Sequence, residues 1–197
     1  MLVPRLLCTS RLLLRPWQAE DAGRLLPVLA ANQSHLGSWV PRRVSEPAPL
    51  PELALRLAGF GADFDAAREW RYGLFTPDAE DVIGEIGLYP RNAEGRVPYD
   101  ASDRVEVGYW LCVHWTGQGF ATEAAAAVLA VAGTLPTLAH AEIRCDARNA
   151  ASAAVPRRLG FLLTVTEEEQ LHAAGREPAV DMQMWTHPLG RSGVTSI

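Results

Sequence analysis

The nine-residue run Trp115-Thr116-Gly117-Gln118-Gly119-Phe120-Ala121-Thr122-Glu123 constrains this chain more than any other stretch. An apolar, strand-like segment precedes it (Val105, Val107, Tyr109, Trp110, Leu111, Val113), and an alanine-rich segment that reads as helix follows, from Ala121 to Ala132. Strand, glycine-bearing turn, helix has an electrostatic consequence. The first turn of a helix carries N–H groups without intrahelical acceptors, and the macrodipole adds partial positive charge there. Gly117 and Gly119 remove the side chains that would hold a bulky anion away from those donors. The layout predicts a phosphate or pyrophosphate site. It is not a Walker loop, because Phe120 and Ala121 stand where Lys and Ser/Thr would have to follow the last glycine. It is not a three-glycine dinucleotide turn either, because Thr122 takes the third glycine's position.

Elsewhere the pattern predicts a strand over 9–17, a helix over 20–31 kinked or broken at Pro27, and an irregular segment over 32–51 with prolines at 41, 47, 49 and 51. A second helix is expected over 53–68 with Leu53, Leu57, Phe60 and Phe64 inward. A hairpin follows (70–76 and 82–89), then a polar loop over 91–103 and a strand over 104–113. After the alanine-rich helix, ended by Gly133 and Pro136, come a strand over 141–146 and a short helix over 149–159 stopped by Gly160. An antiparallel pair (161–168 and 179–186) closes the fold, leaving a loose polar tail over 187–197. Nothing divides the chain, so one α/β (α+β) domain over 9–186 is expected.

Hydrophobic residues make up 48% of the 197, enough for a substantial single core. The net charge of -5 argues against a nucleic-acid or anionic-membrane surface and suits a cationic acceptor such as an amine. Cys8, Cys112 and Cys145 are far apart, with no metal spacing, and read as small core residues of a cytoplasmic protein. The five histidines are equally scattered, and no metal is expected. His114 reads as a surface residue at a strand end. Arg5, Arg11 and Arg15 interrupt the N-terminal apolar run, which is neither a membrane span nor a good signal peptide.

The glycine turn resembles the acyl-coenzyme A pyrophosphate loop of the GNAT N-acetyltransferases, Gln/Arg-x-x-Gly-x-Gly/Ala, over Thr116, Gly117, Gln118, Gly119, Phe120 and Ala121. Thr116 departs from Gln/Arg, so one polar contact to the cofactor is weakened or replaced by a hydroxyl. The element order β-α-α-β-β-β-α-β-α-β-β matches that family. The opening Thr9–Ala22, Ile83-Gly84-Glu85-Ile86-Gly87, Val105–Trp110, and Asn149-x-x-Ser152 ending in Leu159-Gly160-Phe161 resemble its RimJ/RimL-like branch, the ribosomal-protein N-terminal acetyltransferases.

The resemblance implies a mixed sheet whose central parallel strands, 104–113 and 141–146, splay around the thioester of acetyl-coenzyme A. It implies a bulge in the first of them, freeing backbone groups near Leu111, Cys112 and Val113 for the pantetheine arm and for the thioester carbonyl. The amides of Gly117, Gly119, Phe120, Ala121 and Thr122 would hold the pyrophosphate, and Asn149 and Ser152 would meet the cofactor from the other side. Glu106, on the face shared with Gly108 and Trp110, is the candidate general base; the structural alternative is pairing with Arg104 or Arg144. Glu85 is the second candidate, with a solvated hairpin face as its expected place. Trp39, Glu85 and Tyr109 are candidate acceptor contacts, Trp39 being equally suited to packing between the first two helices. The loops at 32–51, 90–103 and 169–178 would frame an acceptor site with aromatic walls and an acidic rim. Pro156 stands where relatives place a tyrosine that protonates the thiolate. Glu123 is expected to turn away from the pyrophosphate and pair structurally. The acceptor is expected to be a protein N-terminal α-amine, the alternatives being a small-molecule amine or a coenzyme A-binding regulatory module. Relatives often pair through terminal strands, which suggests a homodimer.

Overall fold

The computed structural model of the chain describes residues 3–169 and 180–190. Among the described residues nine strands form one sheet: β1 (Leu7–Cys8), β2 (Leu13–Pro16), β3 (Trp70–Phe75), β4 (Val82–Asn92), β5 (Gly95–Arg96), β6 (Arg104–Leu111), β7 (His140–Asp146), β8 (Leu162–Glu169) and β9 (Val180–Pro188). Their order is β1-β2-β3-β4-β6-β7-β9-β8, with β5 folded back on β4. The helices are α1 (Ala22–Leu36), α2 (Arg42–Ser45), α3 (Leu50–Asp65), α4 (Phe120–Ala132) and α5 (Ala150–Arg158).

Strand alternation sorts the core into two clusters. Val105 and Val107 of β6 pack with Phe120, Ala124 and Val128 of α4, whereas Trp110 and the following Cys112 pack with Trp17, Leu25, Leu29, Leu53 and Leu57 beside α1 and α3. The only parallel pair in the described sheet is β6–β7, and it covers just Arg104↔His140, Val105↔Ala141 and Glu106↔Glu142. Beyond Glu106 the two strands separate. β9 keeps β7 paired on its other side through Asp146↔Met182, and β4 keeps β6 paired through Gly84↔Leu111. The opening is therefore framed by two intact ladders.

Several expectations change. The β4–β6 register runs without a shift from Gly84↔Leu111 to Arg91↔Arg104, so β6 carries no bulge and the divergence of β6 from β7 frees its backbone groups instead. Helix α1 continues past Pro27 to Leu36, because the missing N–H removes one ladder bond while Leu25, Leu29 and Leu36 stay buried on both sides of it. Pro51 sits in the first turn of α3, where its N–H would be unsatisfied anyway, so the helix starts before Leu53. Short helix α2 also interrupts the expected irregular stretch. Part of the expected 91–103 loop is strand, since β4 reaches Asn92 and pairs with β5. Strand β9 includes His187 and Pro188, and Leu189 N–H donates to the Ala139 carbonyl, so the tail begins later than expected. Residues 191–197 lie outside the described residues. Cys8 is exposed on short strand β1, unlike buried Cys112 and Cys145; all three are free thiols.

Candidate active site

Two cavities meet at the opening between β6 and β7. One, of about 510 Å³, runs from Trp39 and Leu111 past Thr116, Gly117 and Gly119 to the α5 residues Ser152 and Val155. The other, of about 460 Å³, lies on the α1–α2 side and is walled by Glu85, Tyr89, Glu106, Gly108 and Arg144. Trp39, Val40, Tyr109, Trp110, Asn149 and Ser152 line both. Trp39 is 43% exposed, which makes it a wall between the cavities and overturns packing between the first two helices. Gly108 matters sterically: a Cβ there would stand 3.0 Å from Cε2 of Tyr89, whose ring occupies the space beside it.

The turn before α4 is shaped for an anion. Gly117 and Gly119 hold φ values of 75° and 86°, a left-handed backbone that suits glycine, and a Cβ on Gly117 would meet nothing within 4 Å. Glu123 N–H, which donates to the Gly119 carbonyl, is the first amide of α4 to find a helical acceptor. The earlier amides of Phe120, Ala121 and Thr122 are the orphan donors of a helix start. Among the described residues Thr122 Oγ1 is buried with no hydrogen-bond partner, and it lines a hollow with Gly117, Gly119 and Arg158. An orphaned hydroxyl among unpaired amides fits the phosphate oxygens of coenzyme A. Arg158, which sequence reasoning missed, adds a cation.

Other loop residues act differently from expectation. The Thr116 hydroxyl donates to the Val113 carbonyl at 2.8 Å, so its proton is not free for a phosphate. The Gln118 side chain turns back and donates to the His114 carbonyl, so it is engaged within the turn. Glu123 also lines the hollow, against the expectation that it turns away, but it is paired structurally: it accepts bonds from the hydroxyls of Thr9 and Ser10, from Arg11 N–H, and from Arg11 Nε at 2.7 Å. Arg11 also donates to the Gln118 carbonyl and stacks over Phe120, so one side chain ties the β1–β2 turn to the anion loop. Burial pushes the Glu123 carboxyl up, but the bonds from Thr9, Arg11 and Ser10 outweigh it and leave it below the usual glutamate range. A lowered carboxylate stabilises the fold above its unfolded pKa and loses that contribution as pH falls through the folded one. The stability advantage of wild type over Glu123→Gln in urea unfolding is therefore expected at pH 7, and it should shrink as pH falls below the ordinary glutamate range and through the lower folded pKa.

The pantetheine-facing backbone also differs. Cys112 N–H donates to the Ile83 carbonyl and Val113 N–H to Asn32 Oδ1 at 2.7 Å, so neither is available. The Cys112 thiol lies in the α1–α3 core, where burial pushes it up to about 11. By ladder alternation Cys112 and Trp110 face β4, which turns the main chain of Leu111 and Tyr109 into the opening. Asn32 is a site-building residue that sequence reasoning passed over. Its signal was a polar side chain on the buried face marked by Leu25, Leu29 and Leu36.

Across the opening, Asn149 Oδ1 caps α5 by accepting Ser152 N–H at 3.0 Å. The Tyr109 hydroxyl donates to the Ser152 carbonyl at 2.9 Å, and Ser152 Oγ lies 3.3 Å from it. Burial pushes the Tyr109 hydroxyl well above the phenol range, so it carries its proton at neutral pH. Glu106 lies on the expected face, but its partners are Arg91 (2.5 Å) and Arg96 (3.3 Å), not Arg104 or Arg144. Glu85 is buried, not solvated. It accepts Trp17 Nε1 at 2.7 Å and Arg71 Nη1 at 3.1 Å, and desolvation pushes its carboxyl up against the pull of both partners. The wall also carries Arg43, Arg71, Arg91, Arg96 and Arg144, so the expected acidic rim is instead arginine-rich. His114 is exposed, as expected of a strand-end residue. Of the expected acceptor loops, residues 170–178 lie outside the described residues. Among the described residues no group of three or more His, Cys, Asp or Glu could hold a metal ion, and no helix is long and apolar enough to cross a membrane.

A parallel pair that splays beside a glycine-turn helix start is the layout that the resemblance to acyl-coenzyme A-dependent transferases implies. Residues 11–162 match the family model "Acetyltransferase (GNAT) domain", and the chain belongs to that family. It is 27% identical over 168 residues to the Bacillus subtilis protein YdaF, provisionally named a ribosomal N-acetyltransferase, covering 82% of this chain and 84% of that one. It is also 27% identical over 128 residues to the ribosomal protein uS5 alanine N-acetyltransferase of Escherichia coli, covering 64% of this chain and 63% of that enzyme. Its fold matches that of RimL, a ribosomal-protein alpha-N-acetyltransferase solved with coenzyme A, at a TM-score of 0.76 and 19% identity over 94% of this chain and 97% of the other. The chain is thus an acetyltransferase of the GNAT family, and the relatives it resembles are RimL/RimJ-like.

Proposed function

We propose that this enzyme moves an acetyl group from acetyl-coenzyme A to a protein N-terminal α-amine in the cytoplasm. The observation that carries the reading is the meeting of two cavities at Tyr109 and Ser152, one leading to the α4 anion turn and the other to Glu106. Acetyl-coenzyme A, when bound, supplies the acyl thioester. The amides of Gly117 to Thr122 and the Thr122 hydroxyl hold its pyrophosphate. The main chain of Tyr109 and Leu111 orients the pantetheine arm, with an N–H aimed at the thioester carbonyl oxygen. Position 156 is proline and offers no proton to the thiolate; at the junction the neutral Tyr109 hydroxyl donates to the Ser152 carbonyl and accepts from Ser152 Oγ, which holds α5 against β6. The names of the relatives favour a protein acceptor over a small amine. Pairing of two copies along edge strand β8, where Leu162 and Leu163 are exposed, belongs to the same reading.

Glu106 takes the amine proton, directly or through a water. Its Arg96 contact is the longer and more exposed of the two, so that oxygen is the one released to a substrate. General-base assistance is worth about a hundredfold or more. Glu106→Gln is therefore expected to lower kcat/KM about a hundredfold at pH 7. The deficit should narrow above about pH 8, where an N-terminal amine is already neutral. Thiol release measured over a panel of peptides and small amines tests both acceptor and base. A pH profile unchanged by Glu106→Gln would remove Glu106 from the mechanism, and turnover confined to small amines would replace the acceptor.

A further inference from the structure

Each carboxylate on the wall of the acceptor cavity already has a guanidinium of its own. Glu85 has Arg71, Glu106 has Arg91 and Arg96, and Asp146 has Arg148 at 2.6 Å. Two arginines of that wall remain, Arg43 on α2 and Arg144 on β7, and among the described residues neither has a carboxylate within ion-pair distance. Arg144 stands out further. Among the described residues its Nε is buried without a hydrogen-bond partner, and its Nη2 meets the thioether of Met184, at 3.5 Å. A thioether is a weak acceptor, and an unsatisfied buried donor carries a standing free-energy cost that a ligand anion would remove.

The position of Arg144 gives that cost a use. Pairing of β6 with β7 stops at Glu106↔Glu142, and alternate side chains share a face, so Arg144 is the next residue of β7 to face the acceptor cavity. It stands across the opening from Gly108, beside the place where an acceptor amine must reach the thioester. Arg43 faces the same space from the α2 wall. We infer that the acceptor is an amine that also bears a carboxylate, and that Arg144 is the residue that reads it. The inference rests on the acetyl-transfer reading above and narrows its substrate class. The carboxylate belongs either to an acidic side chain near a peptide N-terminus or to the α-carboxylate of a free amino acid.

Steady-state kinetics on peptides that differ only in Glu or Gln at the second or third position, with free amino acids as a further arm, read the preference. For wild type, KM should be about tenfold lower for the acidic peptide, with kcat little changed. Arg144→Gln should bring the ratio to about one and Arg144→Lys should restore most of it, while the thermal shift with acetyl-coenzyme A stays as in wild type. Use of a free amino acid but not its amide would assign the carboxylate to the second source. Isothermal titration of the same peptides against the coenzyme A-bound enzyme separates the two readings. Acetyl transfer without a charge preference overturns the role of Arg144 alone, and so does a preference that survives in Arg144→Gln. Charge-selective binding without transfer overturns the acetyl-transfer reading and keeps Arg144. Neither binding nor transfer overturns both. Should Arg144→Gln fail to fold, the wild-type Glu-to-Gln ratio decides by itself.

Discussion

Glu85→Ala should be the most destabilising single substitution in the acceptor wall, costing about 3 kcal/mol. The carboxylate is 4% exposed and spends both oxygens on buried partners, the Trp17 indole N–H and the Arg71 guanidinium. Removing it strands two donors at once, and breaking a buried ion pair from one side leaves the other charge uncompensated. Glu69, which also contacts Arg71, keeps the expected loss at the lower end of the usual range. In thermal unfolding this corresponds to a fall of about 10 °C for a domain of this size. Glu85→Gln keeps an oxygen for one of the two donors and leaves the other facing its NH2, so it should cost less than the alanine, about 2 kcal/mol. If Glu85→Ala unfolds within a degree or two of wild type, the Trp17–Glu85–Arg71 chain is not holding β2, β3 and β4 together. The double variant Glu85→Leu with Arg71→Met should recover much of the loss, since apolar replacement of both partners avoids the stranded charge.

That chain also marks where sequence reading stops. The glycine turn was legible because its requirement is local: left-handed backbone at Gly117 and Gly119, then a helix start, all within a few residues. The alternation of β6 was legible for the same reason, and it placed Glu106 on the correct face. Its partners were not, because Arg91 and Arg96 reach it only through the antiparallel β4–β6 register and the fold-back of β5. Glu85 was expected to be solvated because one face of a hairpin commonly is. That expectation could not include Trp17, 68 positions away in sequence, arriving to cover it. Asn32 and Val113 are 81 positions apart, and their bond removes an amide that the resemblance assigned to the cofactor. Periodicity reports which face a residue takes; the partner that meets it there depends on topology.

Gly119→Val is expected to raise the Kd for acetyl-coenzyme A about a hundredfold while leaving the fold cooperative. Three effects act in the same direction. A β-branched residue at φ 86° is strained, by about 1–2 kcal/mol, because its Cβ crowds the following carbonyl. Relief of that strain turns the peptide and misaims the amides of Phe120 and Ala121, which have no acceptor inside the helix. The added methyl groups also approach Arg11, whose Nη2 would lie 3.5 Å from a Cβ at this position, and so press on the side chain that ties Gln118 and Glu123 together. Each charge-assisted bond lost to the pyrophosphate weakens binding by about 1.5–3 kcal/mol, so misaiming one or two accounts for the hundredfold. Gly95→Val, at φ 145° on short strand β5 and with open space around its Cβ, is the matched control for strain away from the cofactor. Calorimetric titration with acetyl-coenzyme A should separate the two: an affinity loss at position 119 with little change at position 95. Equal affinities would mean that the diphosphate is held elsewhere, and Arg158 with the α5 wall would become the place to look.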